Sequence, residues 1–267
     1  MIEVARTVRF SIPLTAPGGA PARGARSNTF AGWPATDALA VFYAIDVHCR
    51  GEADPQTGYL IGIREIDEAV REFILPLLEE AVRAPTGAAP PHLLRRMVEA
   101  IRPPLGNLLW RVHWHLTPTY GLSMMNQSTD RVLISQQFEF AAAHRLHCRG
   151  LSEEENHRIF GRCNNPSGHG HNYRLEVTAA TQLPENGDAP ALTLPQLEQI
   201  VDERIVERFD HTNLNVDVDD FHDLNPSVEH ITKRCHDLLK TPIAEAGGEL
   251  VRVTVWETEK TRCTYPV

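Results

Sequence analysis

The feature that most constrains this chain is an internal repeat. From the amino terminus the pattern gives a strand, a Gly/Pro/Asn-rich stretch, a long alternating strand, two helical segments and a closing strand, and then the series begins again. Individual residues carry the match. Phe42-Tyr43-Ala44-Ile45-Asp46-Val47 aligns with Asn172-Tyr173-Arg174-Leu175-Glu176-Val177, an offset of 130. Arg111-Val112-His113-Trp114-His115-Leu116-Thr117 aligns with Arg252-Val253-Thr254-Val255-Trp256-Glu257-Thr258, an offset of 141, so the loops between matched strands differ in length. The first pass ends near Asn126, and the polar run Ser123 to Thr129 reads as the connector. Helices are expected over 66–82, with a kink at Pro76, and over 91–101, 194–208 and 227–239. Leu194, Leu197, Ile200, Val201 and Ile205 form the apolar stripe of a helix lying on a sheet.

Composition narrows the class of function. Hydrophobic residues make up 42% and charged residues 23% of 267 positions, enough to bury a core and too balanced for a disordered chain. No apolar run approaches a membrane span, and no basic segment followed by an apolar one opens the chain, so a cytoplasmic location is expected. A formal charge of −9 argues against nucleic-acid binding, which needs an excess of Lys and Arg. Five cysteines, an odd number spread over the chain, fit free thiols better than a disulfide framework.

The second pass carries the chemistry. Phe138, Phe140, Ala142 and His144 share one strand parity, and in the next strand His169, His171, Tyr173, Leu175 and Val177 do the same, so two apolar faces run directly into three imidazoles. His169-Gly170-His171 puts two rings on one side of a strand. Three imidazoles with a fourth position open is the pattern of a catalytic zinc, because structural sites are closed by four ligands and usually contain Cys. The pair His113/His115 reads as chance spacing. Matching Phe10 to Phe138 and Tyr43 to Tyr173 puts apolar Ala16, Leu39 and Val41 where the three histidines stand, so the first pass is expected to be metal-free.

Around the histidines lie groups suited to proton transfer. Cys163 sits six residues before His169, where a nearby cation would favour its thiolate; a spare cysteine or a fourth zinc ligand are the other readings. Asp210 adjoins His211 and can orient it as a proton shuttle. Glu257 ends the apolar row Val251, Val253, Val255, either as an acceptor for a ligand's N–H groups or as an internal ion pair, and Leu116 stands at its place in the first pass.

These residues sit within Phe140-Ala141-Ala142-Ala143-His144-Arg145-Leu146, Leu151-Ser152-Glu153-Glu154-Glu155-Asn156, Phe160-Gly161-Arg162-Cys163-Asn164-Asn165-Pro166, Gly168-His169-Gly170-His171-Asn172-Tyr173, Asp210-His211 and Glu257-Thr258. Together they closely resemble the 6-pyruvoyl-tetrahydropterin synthase family over residues 132–267. The resemblance implies an α+β chain of tandem tunnelling-fold units, each an antiparallel four-stranded sheet with two helices on one face. Residues 1–126 would be a degenerate metal-free copy and 131–267 the zinc-binding catalytic domain. It implies one zinc ion on His144, His169 and His171, Cys163 as general base, Asp210 and His211 as its partner relay, and Glu257 as the pterin anchor. Ser227 and Glu229 would line the pterin pocket, Arg145 and Arg162 are candidates for the triphosphate, and magnesium is a further candidate there. The expected reaction converts 7,8-dihydroneopterin triphosphate to 6-pyruvoyl-tetrahydropterin on a route to tetrahydrobiopterin, in a homo-oligomer with sites at subunit or domain interfaces. The alternatives are the related 6-carboxytetrahydropterin synthase, typically with three residues rather than the five found here between Cys163 and His169, and a non-catalytic pterin-binding module.

Overall fold

A computed structural model describes residues 1–14, 39–83 and 89–267, which fall into two compact units, Met1–Leu133 with Leu183–Pro190, and Ile134–Gln182 with Ala191–Val267. In the first unit β1 (Ile2–Pro13), β2 (Ala40–Gly51), β3 (Leu109–His115) and β4 (Tyr120–Met125) pair antiparallel in that order. Strict alternation drives this. Val8, Phe10 and Ile12 of β1 and Tyr43, Ile45, Val47 and Cys49 of β2 are buried, while the residues between them are less so. Helix α1 runs Ile63–Ala69, widens into a π-helical turn over Val70–Ile74 and continues as Leu75–Arg83. The irregularity falls just before Pro76, whose ring nitrogen has no proton to give, so a register change takes the place of the expected kink at the proline itself. Helix α2, Pro90–Leu105, passes the expected end at Ile101 and closes at Gly106, whose φ is +57°.

The run read as a polar connector is a hairpin: Ser123 lies inside β4, and only Asn126 and Gln127 separate that strand from β5 (Ser128–His144). Leu122 and Met124 point to the core while Ser123 turns to the other face, where its Oγ lies 2.6 Å from His113 Nδ1. His115, two residues on, holds Asp46 at 2.8 Å. Short alternation in Ser/Met/Asn-rich sequence looks like loop composition, which accounts for the misreading.

In the second unit β5 from Ile134 onward, β6 (His169–Gln182), β8 (Gly248–Thr258) and β9 (Thr261–Tyr265) form the sheet, and the two-residue β7 (Thr212–Asn213) pairs parallel with β5. Helix α3 (Glu153–Phe160) precedes β6, and its capping box satisfies Ser152 and Glu155 reciprocally. Helix α4 runs Leu194–Val201, a π-helical turn over Asp202–Val206, then Glu207–Phe209; α5 spans Val228–Glu245 with Ser227 as its N-cap. Leu197, Val201, Ile205 and Phe209 of α4 and Ile231, Cys235, Leu239 and Ile243 of α5 are fully buried, as are Leu175 and Val177 of β6 and Val253 and Val255 of β8.

The two units share details. The β2–β3 ladder pairs Ile45 with Trp114 and the β6–β8 ladder pairs Leu175 with Val255, at the offsets of 130 and 141 found in the sequence. Each ladder is interrupted at the same place, between His48 and Cys49 and between Thr178 and Ala179. One register needs correction. Phe10 stacks on Tyr43 at 5.4 Å and Phe140 stacks on Tyr173 at 5.0 Å, so Phe10 corresponds to Phe140, not Phe138. Leu14 rather than Ala16 then takes the place of His144; Ala16 lies outside the described residues. A shift of two preserves side-chain parity, so Leu39 and Val41 keep their places opposite His169 and His171.

Candidate metal and active site

All the groups described here lie in the second unit. His144 ends β5 at 0% exposure, and His169 and His171 open β6. Their ligating atoms lie within 4.8 Å of one another, and the Nε2 atoms of His144 and His169 are 3.1 Å apart. The strand phase read from sequence thus brings the three rings together. Gly168, just before His169, has φ +72° and a position where a Cβ would lie 3.1 Å from the His144 carbonyl oxygen, so a side chain there would crowd the approach of the two strands.

Protonation follows from the partners. His144 Nδ1 lies 2.7 Å from the Pro226 carbonyl oxygen, which can only accept, so Nδ1 carries the proton and Nε2 presents its lone pair. The Tyr173 hydroxyl, 3.3 Å from the same Nδ1, is a second neighbour on that side. Burial pushes the His144 imidazole down to about 4, with His169 and His171 adding to the effect, and burial likewise lowers His171. His171 Nε2 is buried without a hydrogen-bond partner. Imidazole nitrogens converging in this way are what a divalent cation requires, so the donor set fits a metal ion.

Asp210 and His211 stand together as expected, His211 Nδ1 lying 2.7 Å from Asp210 Oδ2. The pair is strapped to β5: Ala141 N donates to Asp210 Oδ1 at 2.7 Å, and His211 N donates to the Ala141 carbonyl at 2.6 Å. These contacts hold His211 in the left-handed region, φ +58°, and leave its ring largely exposed. The Ala141 amide, then the His211 side chain, keep the Asp210 carboxyl below its ordinary value. A cleft of about 620 Å³ is lined by residues 141–143, 170–172, His211 and Thr212.

Glu257, at the end of β8, places Oε1 3.5 Å from His144 Nε2 and 3.9 Å from His171 Nε2, so it stands beside two of the three rings, outside the trio whose ligating atoms all lie within 4.8 Å of one another. Cys163 is half-buried in the short 3-10 turn Gly161–Asn164, and its carbonyl accepts from Leu146 N at 2.9 Å. Ser227 caps α5, and its side chain is the leading cause of the lowered Glu229 carboxyl.

Arg145 is engaged through one of its nitrogens. Its Nε donates to both the backbone oxygen and Oδ1 of buried Asn164, at 3.2 and 3.0 Å, and His147 Nδ1 lies 3.0 Å from that same Oδ1. Arg145 therefore fastens the turn bearing Cys163 to the segment that follows His144, whereas Arg162 is exposed. Sequence reasoning missed Asn164, and it missed Asn215, whose side chain brackets the Arg145 backbone at both N and O. The signal was the asparagine density of 164–165 and 213–215, since Asn side chains replace backbone partners in irregular segments.

Fold and site together define an α+β protein with a three-histidine site able to hold one metal ion, flanked by a carboxylate and a His–Asp pair. The family model for 6-pyruvoyl tetrahydropterin synthase matches residues 133–266. A 6-pyruvoyl tetrahydrobiopterin synthase of Homo sapiens is 37% identical over 132 residues, covering 49% of this chain and 89% of the relative. A putative 6-carboxy-5,6,7,8-tetrahydropterin synthase of Archaeoglobus fulgidus is 30% identical over 130 residues, covering 49% and 91%. The solved 6-pyruvoyl tetrahydropterin synthase of Caenorhabditis elegans is 33% identical, covers 51% of this chain and 94% of its own, and superposes with a TM-score of 0.47. The chain belongs to the 6-pyruvoyl tetrahydropterin synthase family. It is accordingly an enzyme of the lyase class with the tunnelling fold. Among the described residues no helix is long and apolar enough to cross a membrane.

Proposed function

We propose that the chain converts 7,8-dihydroneopterin triphosphate to 6-pyruvoyl-tetrahydropterin, releasing triphosphate, with one zinc ion held by His144, His169 and His171. The observation that carries this reading is the convergence of three imidazoles, one of them fixed by the Pro226 carbonyl with its Nε2 turned inward. When bound, zinc would polarise oxygens of the substrate side chain and acidify the adjacent C–H. Cys163 takes that proton as thiolate, and His211, held by Asp210, passes protons back to the carbon skeleton as the triphosphate leaves. Glu257 receives the N–H edge of the pterin, with Ser227 and Glu229 beside it. Arg145 holds the Cys163 turn through Nε and keeps its terminal nitrogens for the triphosphate, where magnesium is a further candidate.

The first unit is best read as a metal-free copy, a view supported by the common bulge position, the common π-helical turn and the apolar Leu14, Leu39 and Val41 at the ligand places. A cytoplasmic location fits five free thiols, and homo-oligomerisation is carried over from the family. The test is incubation of zinc-loaded protein with 7,8-dihydroneopterin triphosphate, with products read by mass spectrometry. Triphosphate and a 6-pyruvoyl product support the reading; a 6-carboxy product with acetaldehyde reassigns it, and no turnover removes it.

A further inference from the structure

The Glu257 carboxylate is poorly explained as a bystander. Its Oε1 lies 3.5 Å from His144 Nε2 and 3.9 Å from His171 Nε2, and His144 Nε2 is 3.1 Å from His169 Nε2. The Pro226 carbonyl fixes the His144 proton on Nδ1, so Nε2 faces the carboxylate with a lone pair, and a carboxylate has only lone pairs to offer in return. His171 Nε2 is buried with no hydrogen-bond partner. His169 Nε2 is the nitrogen placed to donate to His144 Nε2 in the metal-free site, whereas Glu257 Oε1 meets His144 Nε2 acceptor to acceptor, an arrangement that a shared cation satisfies. The spacings are of the right size. Bonds of about 2.0–2.1 Å in a tetrahedral zinc site set ligand atoms about 3.3 Å apart, and Glu257 lies close to that from two of the three imidazoles. Among the described residues its ion-pair contacts are these two rings.

We propose that Glu257 is an exchangeable fourth metal ligand, closing the resting site and freed by the arrival of the pterin, whose N–H edge it then receives. The inference rests on the three-histidine metal site put forward above and adds to it. A closed resting site would keep water out of the fourth position and tie the opening of that position to occupancy of the pterin pocket. The histidines alone would leave the position open at all times.

The test uses the full chain. Zinc affinity is measured by chelator competition for the wild type, Glu257→Gln, Glu257→Asp and His169→Ala, with Co²⁺ substituted for zinc to record the visible ligand-field bands. Loss of a metal ligand should weaken zinc binding at least as much as loss of an outer-sphere partner, about 10–100-fold. Both Glu257 variants are expected to show such a loss together with altered Co²⁺ bands, the shorter Asp because it does not reach. Pterin lacking a side chain should shift the wild-type Co²⁺ bands and leave those of Glu257→Gln unmoved. Far-UV circular dichroism identifies a misfolded variant, in which case the Asp variant and the pterin titration decide. Wild-type affinity and bands in both Glu257 variants, with metal lost in His169→Ala, would overturn the proposal while leaving the three-histidine site standing. Wild-type Co²⁺ bands that stay put when pterin binds would also overturn it. Failure of the wild type to bind zinc would instead remove the metal reading itself.

Discussion

His144 and Pro226 are joined by a 2.7 Å hydrogen bond from the imidazole Nδ1 to the backbone oxygen, so the loop leading into α5 sets the tautomer of a buried ring on β5. The ring is neutral in the fold and ionises readily in the unfolded chain, which couples stability to pH. With the folded value near 4 and the ordinary value at 6.5, the unfolded state takes up the proton first as pH falls. Stability is therefore fully present above about 6.5 and declines toward pH 4, by a limiting amount of about 3 kcal/mol from this group. Urea unfolding of the metal-free protein between pH 7.5 and 4.5 should show it, and a His144→Asn variant should lose its own share of the slope, leaving that of His113, whose imidazole burial also pushes down to about 4. An unchanged slope in that variant would locate the effect elsewhere.

Removing a ligand should act on metal and turnover together. His169→Ala is expected to abolish zinc retention on dialysis and reduce kcat/KM by more than about 10³, of the order seen when a principal electrostatic group is deleted. Retained zinc in that variant, by elemental analysis, would contradict the assignment of His169.

Cys163→Ala should separate chemistry from binding. Zinc content and pterin affinity are expected to stay near wild type while kcat falls by about 10²–10⁴, the usual worth of a general base. A variant retaining full kcat would show that the thiol is a bystander.

Asp220 is only 4% exposed and accepts from both Arg208, at the end of α4, and Arg234, in α5. The carboxylate thus ties the segment leading to Asp210 and His211 to the helix capped by Ser227. Asp220→Ala leaves two guanidiniums without their shared partner. Both are partly exposed, so the cost should fall at the lower end of the range for breaking buried pairs, about 3 kcal/mol. Guanidinium unfolding measures it, and a loss below about 1 kcal/mol would mean that water replaces the carboxylate at little cost.

What could be read from the sequence follows from period and parity. Strand alternation put Phe140, Ala142 and His144 on one face, and the same rule placed His169 and His171, so the three-histidine cluster was legible in the sequence. Contacts made by the backbone were not, because a Pro226 carbonyl has no residue signature. Arg145 shows a second limit: residue type gives charge and reach, whereas its commitment to Asn164 depends on how two loops fold back on each other. The π-helical turns in α1 and α4 were equally silent, since a single inserted residue barely alters an apolar stripe. The two-residue slip between Phe138 and Phe140 had the same origin, because both share parity and both are aromatic.

Gly168 supplies a test of how closely the two ligand-bearing strands must approach. Its φ of +72° disfavours any other residue, and a Cβ would stand 3.1 Å from the carbonyl of His144, one residue before ligand His169. Gly187 is a control, having φ +85° but open space around the Cβ position. Gly187→Ala should cost only the backbone term, about 1–2 kcal/mol. Gly168→Ala should cost more and also weaken zinc binding, because relieving the contact moves His144 and His169 relative to each other. Equal losses of stability in the two variants, with zinc affinity untouched, would mean that the strands accommodate a methyl group and that glycine is needed there for its dihedral alone.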